Sequence, residues 1–91
     1  MEDSFRKMFL QVLSDFFVTR NIEHDDFDFD KRLIEDYGLT SDQGIEIALV
    51  FEKTLNVVFP ESINPAVNDE ERRGRTVAEL LELSKQYASQ E

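Results

Sequence analysis

Thr40-Ser41-Asp42-Gln43-Gly44-Ile45-Glu46-Ile47-Ala48-Leu49-Val50-Phe51-Glu52-Lys53-Thr54-Leu55-Asn56 combines a helix start signal with a sustained apolar pattern. Thr40 and Gln43 have the spacing of a capping box, in which the Thr40 hydroxyl accepts from the Gln43 amide and the Gln43 side chain reaches back to Thr40. A helix is predicted from about Ser41 to about Asn56, and Phe59-Pro60 then enforces an extended exit. Positions four apart stack, so Ser41, Ile45 and Leu49 form one stripe with Asp42 and Glu46 beside it, while Ile47, Val50, Phe51 and Thr54 lie largely on another side. One face can enter a core while the other presents a hydroxyl, two aliphatic side chains and acidic neighbours to a docking partner. A helix rotated from this orientation would instead bury Ile45 and Leu49 and leave Asp42 and Glu46 as a solvated face.

Upstream, Phe5, Met8, Phe9, Val12, Leu13, Phe16 and Phe17 recur at spacings of three and four and predict an amphipathic helix over residues 4 to 20. Asp3 or Ser4 can cap its start, and Arg20-Asn21 marks its stop. Residues 22 to 40 show no period. Seven acids (Glu23, Asp25, Asp26, Asp28, Asp30, Glu35, Asp36) stand there against Lys31 and Arg32, with Ile22, Phe27, Phe29, Leu33, Ile34 and Leu39 to pin the segment onto the core. Downstream, Asn64-Pro65 reads as an N-cap with proline at the first helical position, predicting a short third helix from Pro65 toward Arg72. Thr76 and Glu79 form a second capping box, and Val77, Leu80, Leu81, Ser84, Tyr87 and Ala88 follow with helical spacing to predict a last helix over 77 to 88, with Ser89-Gln90-Glu91 frayed. No alternation of period two persists, so the predicted class is all-α: a four-helix bundle with a long first loop and a short third helix.

At 91 residues, 41% of them hydrophobic, the chain supports one core, and residues 1–91 are expected to form a single domain. Without cysteine it can form no disulfide, thiolate zinc site or cysteine nucleophile. The start Met-Glu-Asp-Ser lacks a secretory pattern and no apolar run approaches the ~18 residues of a membrane span, so a cytoplasmic location is expected. A formal charge of -10 repels nucleic acid and anionic membranes and favours proteins with basic patches, through attraction that weakens with salt.

The segment Asp36-Tyr37-Gly38-Leu39-Thr40-Ser41-Asp42-Gln43-Gly44-Ile45-Glu46 resembles the acyl carrier protein family, which has Asp-Leu-Gly-x-Asp-Ser-Leu-x-x-x-Glu there; Asp36, Gly38, Ser41 and Glu46 fall in register. The order of elements, the Phe59-Pro60 break and Thr76-Val77 extend the likeness over nearly the whole chain. The resemblance implies a fold of the acyl-carrier type and a non-enzymatic monomer. It also implies that Ser41 carries a covalent 4′-phosphopantetheine from coenzyme A, which holds acyl groups as thioesters. Implied partners are a phosphopantetheinyl transferase and the acyl-loading and acyl-using enzymes of fatty acid, polyketide or lipid biosynthesis, with Asp42, Ile45, Glu46 and Leu49 as the recognition face. The chain departs from the family where Thr40 replaces the Asp before the serine and Asp42 replaces the apolar residue after it. The stretch from Asn64 to Arg75 also exceeds the family's short third-helix region. An unmodified, carrier-like helical interaction module is the alternative.

Other motifs carry less. Asp26, Asp28 and Asp30 match the first ligand positions of a calcium loop, but Lys31 stands where glycine is needed and Tyr37 where the bidentate Glu belongs, so no dedicated metal site is expected. His24, the single histidine, would have to pair with Ser41 or another serine for hydrolysis without a Gly-x-Ser-x-Gly elbow. Arg72, Arg73 and Arg75 lie beside Asp69, Glu70 and Glu71, which predicts local ion pairs rather than phosphate binding.

Overall fold

A computed structural model gives the fold of residues 2–24 and 26–88, with the backbone alone for residues 2 and 3. Three helices and one small antiparallel sheet follow in the order α1 (Glu2–Thr19), α2 (Ser41–Leu55), β1 (Val67–Asn68), β2 (Arg73–Gly74) and α3 (Val77–Tyr87). This corrects the four-helix expectation, because the predicted short third helix is a hairpin in which Val67 pairs with Gly74 and Asn68 with Arg73.

The reason lies in where Asn64 and Arg75 spend their polar groups. The Asn64 side chain accepts from the Ala66 amide at 3.0 Å and donates to the Ser41 carbonyl at 3.0 Å, so it closes a local turn and clamps α2. The Arg75 guanidinium donates to the Pro65 and Val67 carbonyls at 2.9 and 2.8 Å, and its amide donates to Ala66 at 2.7 Å. Those carbonyls are the ones a helix would have used internally. Asn68 Oδ1 accepts from the Glu71 amide, and Arg72 takes φ 58°, turning the chain back into β2.

The predicted stop of α1 is built as a Schellman motif: Asn21 adopts φ 59°, the Asn21 amide donates to Val18, and the Ile22 amide donates to Phe17 at 2.9 Å. The helix starts at Glu2, before either predicted cap; Ser4 lies inside it, and the Asp3 side chain, Asp25 and residues 89–91 lie outside the described residues. Phe9, Leu13, Phe16 and Phe17 of α1 are buried against Ile47, Phe51 and Leu55 of α2 and Val77, Leu80 and Leu81 of α3. Met8, expected on that stripe, is exposed.

The long first loop is ordered by packing and by polar contacts together. Leu33 and Leu39 are buried, Phe17 meets the rings of Phe27 and Tyr37 edge-on at 5.1 and 5.5 Å, and the Tyr37 hydroxyl accepts from the Asp28 amide. Backbone bonds from Leu33 to Arg75, from Val77 to Lys31 and from Ala78 to Phe29 fasten it to the start of α3. The end of α3 is held by an antiparallel bridge between Ala88 and Val57.

The hairpin is anchored by charge. Arg73 forms a bidentate pair with Glu79 at 2.8 and 2.7 Å, and Glu79 also accepts from the Thr76 amide in the α3 capping box. The acidic partner of Arg73 is therefore Glu79 and not a member of the neighbouring acid run that the sequence suggested. The Arg73 hydrogen bond, opposed by partial burial, lowers the Glu79 carboxyl from 4.5 to about 2. Because the folded value lies below the unfolded one, this stabilisation is complete above the ordinary carboxylate range and is lost as pH falls from 4.5 toward 2. Glu79 is a third exposed, so solvent screening reduces its worth to ~1–2 kcal/mol. Urea midpoints for Glu79→Gln should be lower than wild type at pH 7 and converge with it near pH 2; parallel curves over that range would refute the assignment.

Candidate functional site

The N-terminus of α2 is set by the predicted capping box. Thr40 Oγ1 accepts from the Gln43 amide at 3.2 Å, and Gln43 Oε1 accepts from the Thr40 amide at 3.0 Å. These bonds satisfy two of the four amides that lack intrahelical acceptors and leave those of Ser41 and Asp42 at the open helix end. Ser41 is exposed as the first residue of the helix. The approach to it is shaped by Gly38, at φ 84°, whose left-handed turn brings the loop into Leu39 and the cap.

Gly44 makes the site possible on its inner side. A Cβ there would run into Asn64 Oδ1 and come within 2.7 Å of the Ala66 Cβ, so the absent side chain lets the 64–66 segment lie directly against the first turn of α2. Asn64 is then close enough to hold the Ser41 carbonyl. In sequence this glycine reads only as a weak helix former; its packing role depends on residues twenty positions away.

The orientation left open by the sequence is resolved by burial. Ile47 and Phe51 are fully buried, whereas Ile45 and Leu49 are 55% and 57% exposed, and Asp42 is exposed beside them. Ile45 and Leu49 form one wall of a groove of about 330 Å3, whose other side is the extended chain of Phe59 and Ile63, with Glu52 and Glu61 in its lining. Glu46 differs from its neighbours: its Oε1 accepts from Arg20 Nε at 2.7 Å, and the Arg20 guanidinium lies 3.8 Å over the Phe16 ring. Of the four predicted recognition residues, three face outward unengaged by that arginine and the fourth is tied to the end of α1.

No known protein family, no curated protein and no solved structure matches the chain.

The remaining sequence candidates fall elsewhere. His24 Nε2 meets Ser14 Oγ at 3.1 Å, and the ring stacks on Phe27 at 4.7 Å and meets Phe17 edge-on, so it joins the aromatic packing of the first loop. Asp28 Oδ1 accepts from the Asp30 amide, a turn bond within the acidic loop. Among the described residues, no three His, Asp or Glu side chains converge as metal ligands, and no helix is long and apolar enough to cross a membrane.

Proposed function

We propose that the protein is a carrier whose Ser41 hydroxyl accepts 4′-phosphopantetheine from coenzyme A, and whose α2 face presents the loaded arm to enzymes bearing basic patches. The observation that carries this reading is the placement of an exposed serine at the first turn of a capped helix, one turn before Ile45, which with Leu49 lines a groove on the same helix. The exposed hydroxyl can attack the pyrophosphate of coenzyme A on the transferase: the new Ser41 Oγ–P bond replaces the P–O–P bond, adenosine 3′,5′-bisphosphate leaves, and the hydroxyl proton passes to a base of the transferase. The resulting phosphodiester would lie near the unbonded Ser41 and Asp42 amides, where an anion is favoured. The groove supplies apolar surface within the reach of the pantetheine arm. The in-register Asp36, Gly38, Ser41 and Glu46 support the same reading.

The hairpin at 67–74 departs from the family's helix, but the groove wall is formed by the 59–65 segment before it. Asp42 works against modification: its carboxylate occupies the first turn, where it repels an incoming phosphate and replaces an apolar contact. Asp42→Leu is therefore expected to raise kcat/KM of a broad-specificity phosphopantetheinyl transferase about five- to ten-fold, the size of one or more local charge and contact effects. A decrease would show instead that the transferase uses Asp42 as a contact. Ser41→Ala should take up no label at all.

A further inference from the structure

We propose that Arg20 is a built-in competitor for Glu46, holding that carboxylate away from partners so that docking on α2 begins through Asp42 and the aliphatic pair and gains Glu46 only when the Arg20 bond opens. The proposal rests on the reading of the α2 face as a docking surface for basic partners. Three observations support it. Arg20 stands beside the left-handed Asn21 that ends α1, and its backbone amide bonds to Phe16 and Phe17, so the stem leaves a fixed point. The guanidinium is stacked on the Phe16 ring, which keeps its plane in place without using its donors. Finally, Arg20 is 26% exposed and Glu46 47%, so the carboxylate remains reachable from solvent while already carrying a short charge-assisted bond.

A partner arginine must therefore displace Arg20 to use Glu46, and gains the difference between two similar ion pairs instead of a whole one. Asp42 lies four residues earlier on the same helix, and among the described residues no ion pair involves it. Contact at Glu46 becomes the more selective one, since only a partner whose cation is well placed can win the exchange.

The test is a double-mutant cycle read by fluorescence anisotropy, using a helical peptide of leucine and arginine as the probe. Four proteins are compared (wild type, Arg20→Gln, Glu46→Gln and the double variant), with Lys7→Gln as a control for the change in net charge. Arg20→Gln should bind the peptide about two- to five-fold more tightly at low salt, beyond any gain in Lys7→Gln. Glu46→Gln should matter little in wild type and should cancel the gain in the Arg20→Gln background. Equal gains in Arg20→Gln and Lys7→Gln, equal losses from Glu46→Gln in both backgrounds, or no peptide binding by wild type and Arg20→Gln would each overturn the proposal. Circular dichroism of each variant identifies a folding failure, and an Arg20→Lys variant, which keeps the charge without the stacked fork, should fall between wild type and Arg20→Gln. The mass of the same proteins after incubation with coenzyme A and a transferase reports separately on the carrier reading.

Discussion

Phe51→Ala is expected to lower stability by about 3–5 kcal/mol, a large fraction of a domain stability of order 5–15 kcal/mol. Phe51 is fully buried and meets Phe9 edge-on at 5.7 Å and Phe59 at 6.3 Å, so one ring joins α1, α2 and the extended exit from α2. Its backbone carbonyl also accepts from Val57, where the chain turns toward the groove. Truncation removes the transfer free energy of the ring and leaves a cavity that three separate elements would have to close. Urea unfolding followed by far-ultraviolet circular dichroism measures the loss. A change below about 1 kcal/mol would contradict the packing described for α1 and α2.

Gly44→Val is expected to cost about 2–3 kcal/mol, the upper range for forcing extra atoms into a packed site. Replacing glycine within a helix normally helps by about 0.5–1 kcal/mol for alanine, and valine recovers less because its branched side chain is restricted. Here that gain is outweighed, because the new Cβ meets Asn64 and Ala66 where Asn64 is held at both ends of its amide. The 64–66 segment would be pushed off α2, opening the groove from the side of Ile63 and Pro65. In an Asn64→Ala background the same substitution should cost less, since part of the obstruction is gone. Strict additivity of the two changes, or a stabilising Gly44→Val, would show that the segment yields freely.

The two capping boxes, the αL stop at Asn21 and the start of α3 were legible because each is a contract between residues at most four apart. The hairpin was not. Asn64-Pro65 has the form of a helix start, but Asn64 is used by Ser41 and Ala66, and Arg75 takes the carbonyls of Pro65 and Val67; both choices depend on contacts outside the local window. Residues 66 to 72 also offer little apolar surface for a helix to bury beyond Ala66 and Val67. At the candidate site, the positions of Ser41, Asp42, Ile45 and Leu49 followed from the period of α2 once its buried face was known. The capture of Glu46 did not, because Arg20 lies 26 residues away and reaches it only after α1 and α2 have packed. Gly44 is the same kind of case: its meaning is set by a loop that the helix itself does not predict.

The carrier reading is tested most directly by intact-protein mass after incubation with coenzyme A and a broad-specificity phosphopantetheinyl transferase, run beside Ser41→Ala. A gain of one phosphopantetheine mass in the wild type, located to Ser41 and missing from the variant, is the predicted result. A folded wild-type protein that gains nothing with several transferases, or a gain that survives Ser41→Ala, would contradict it.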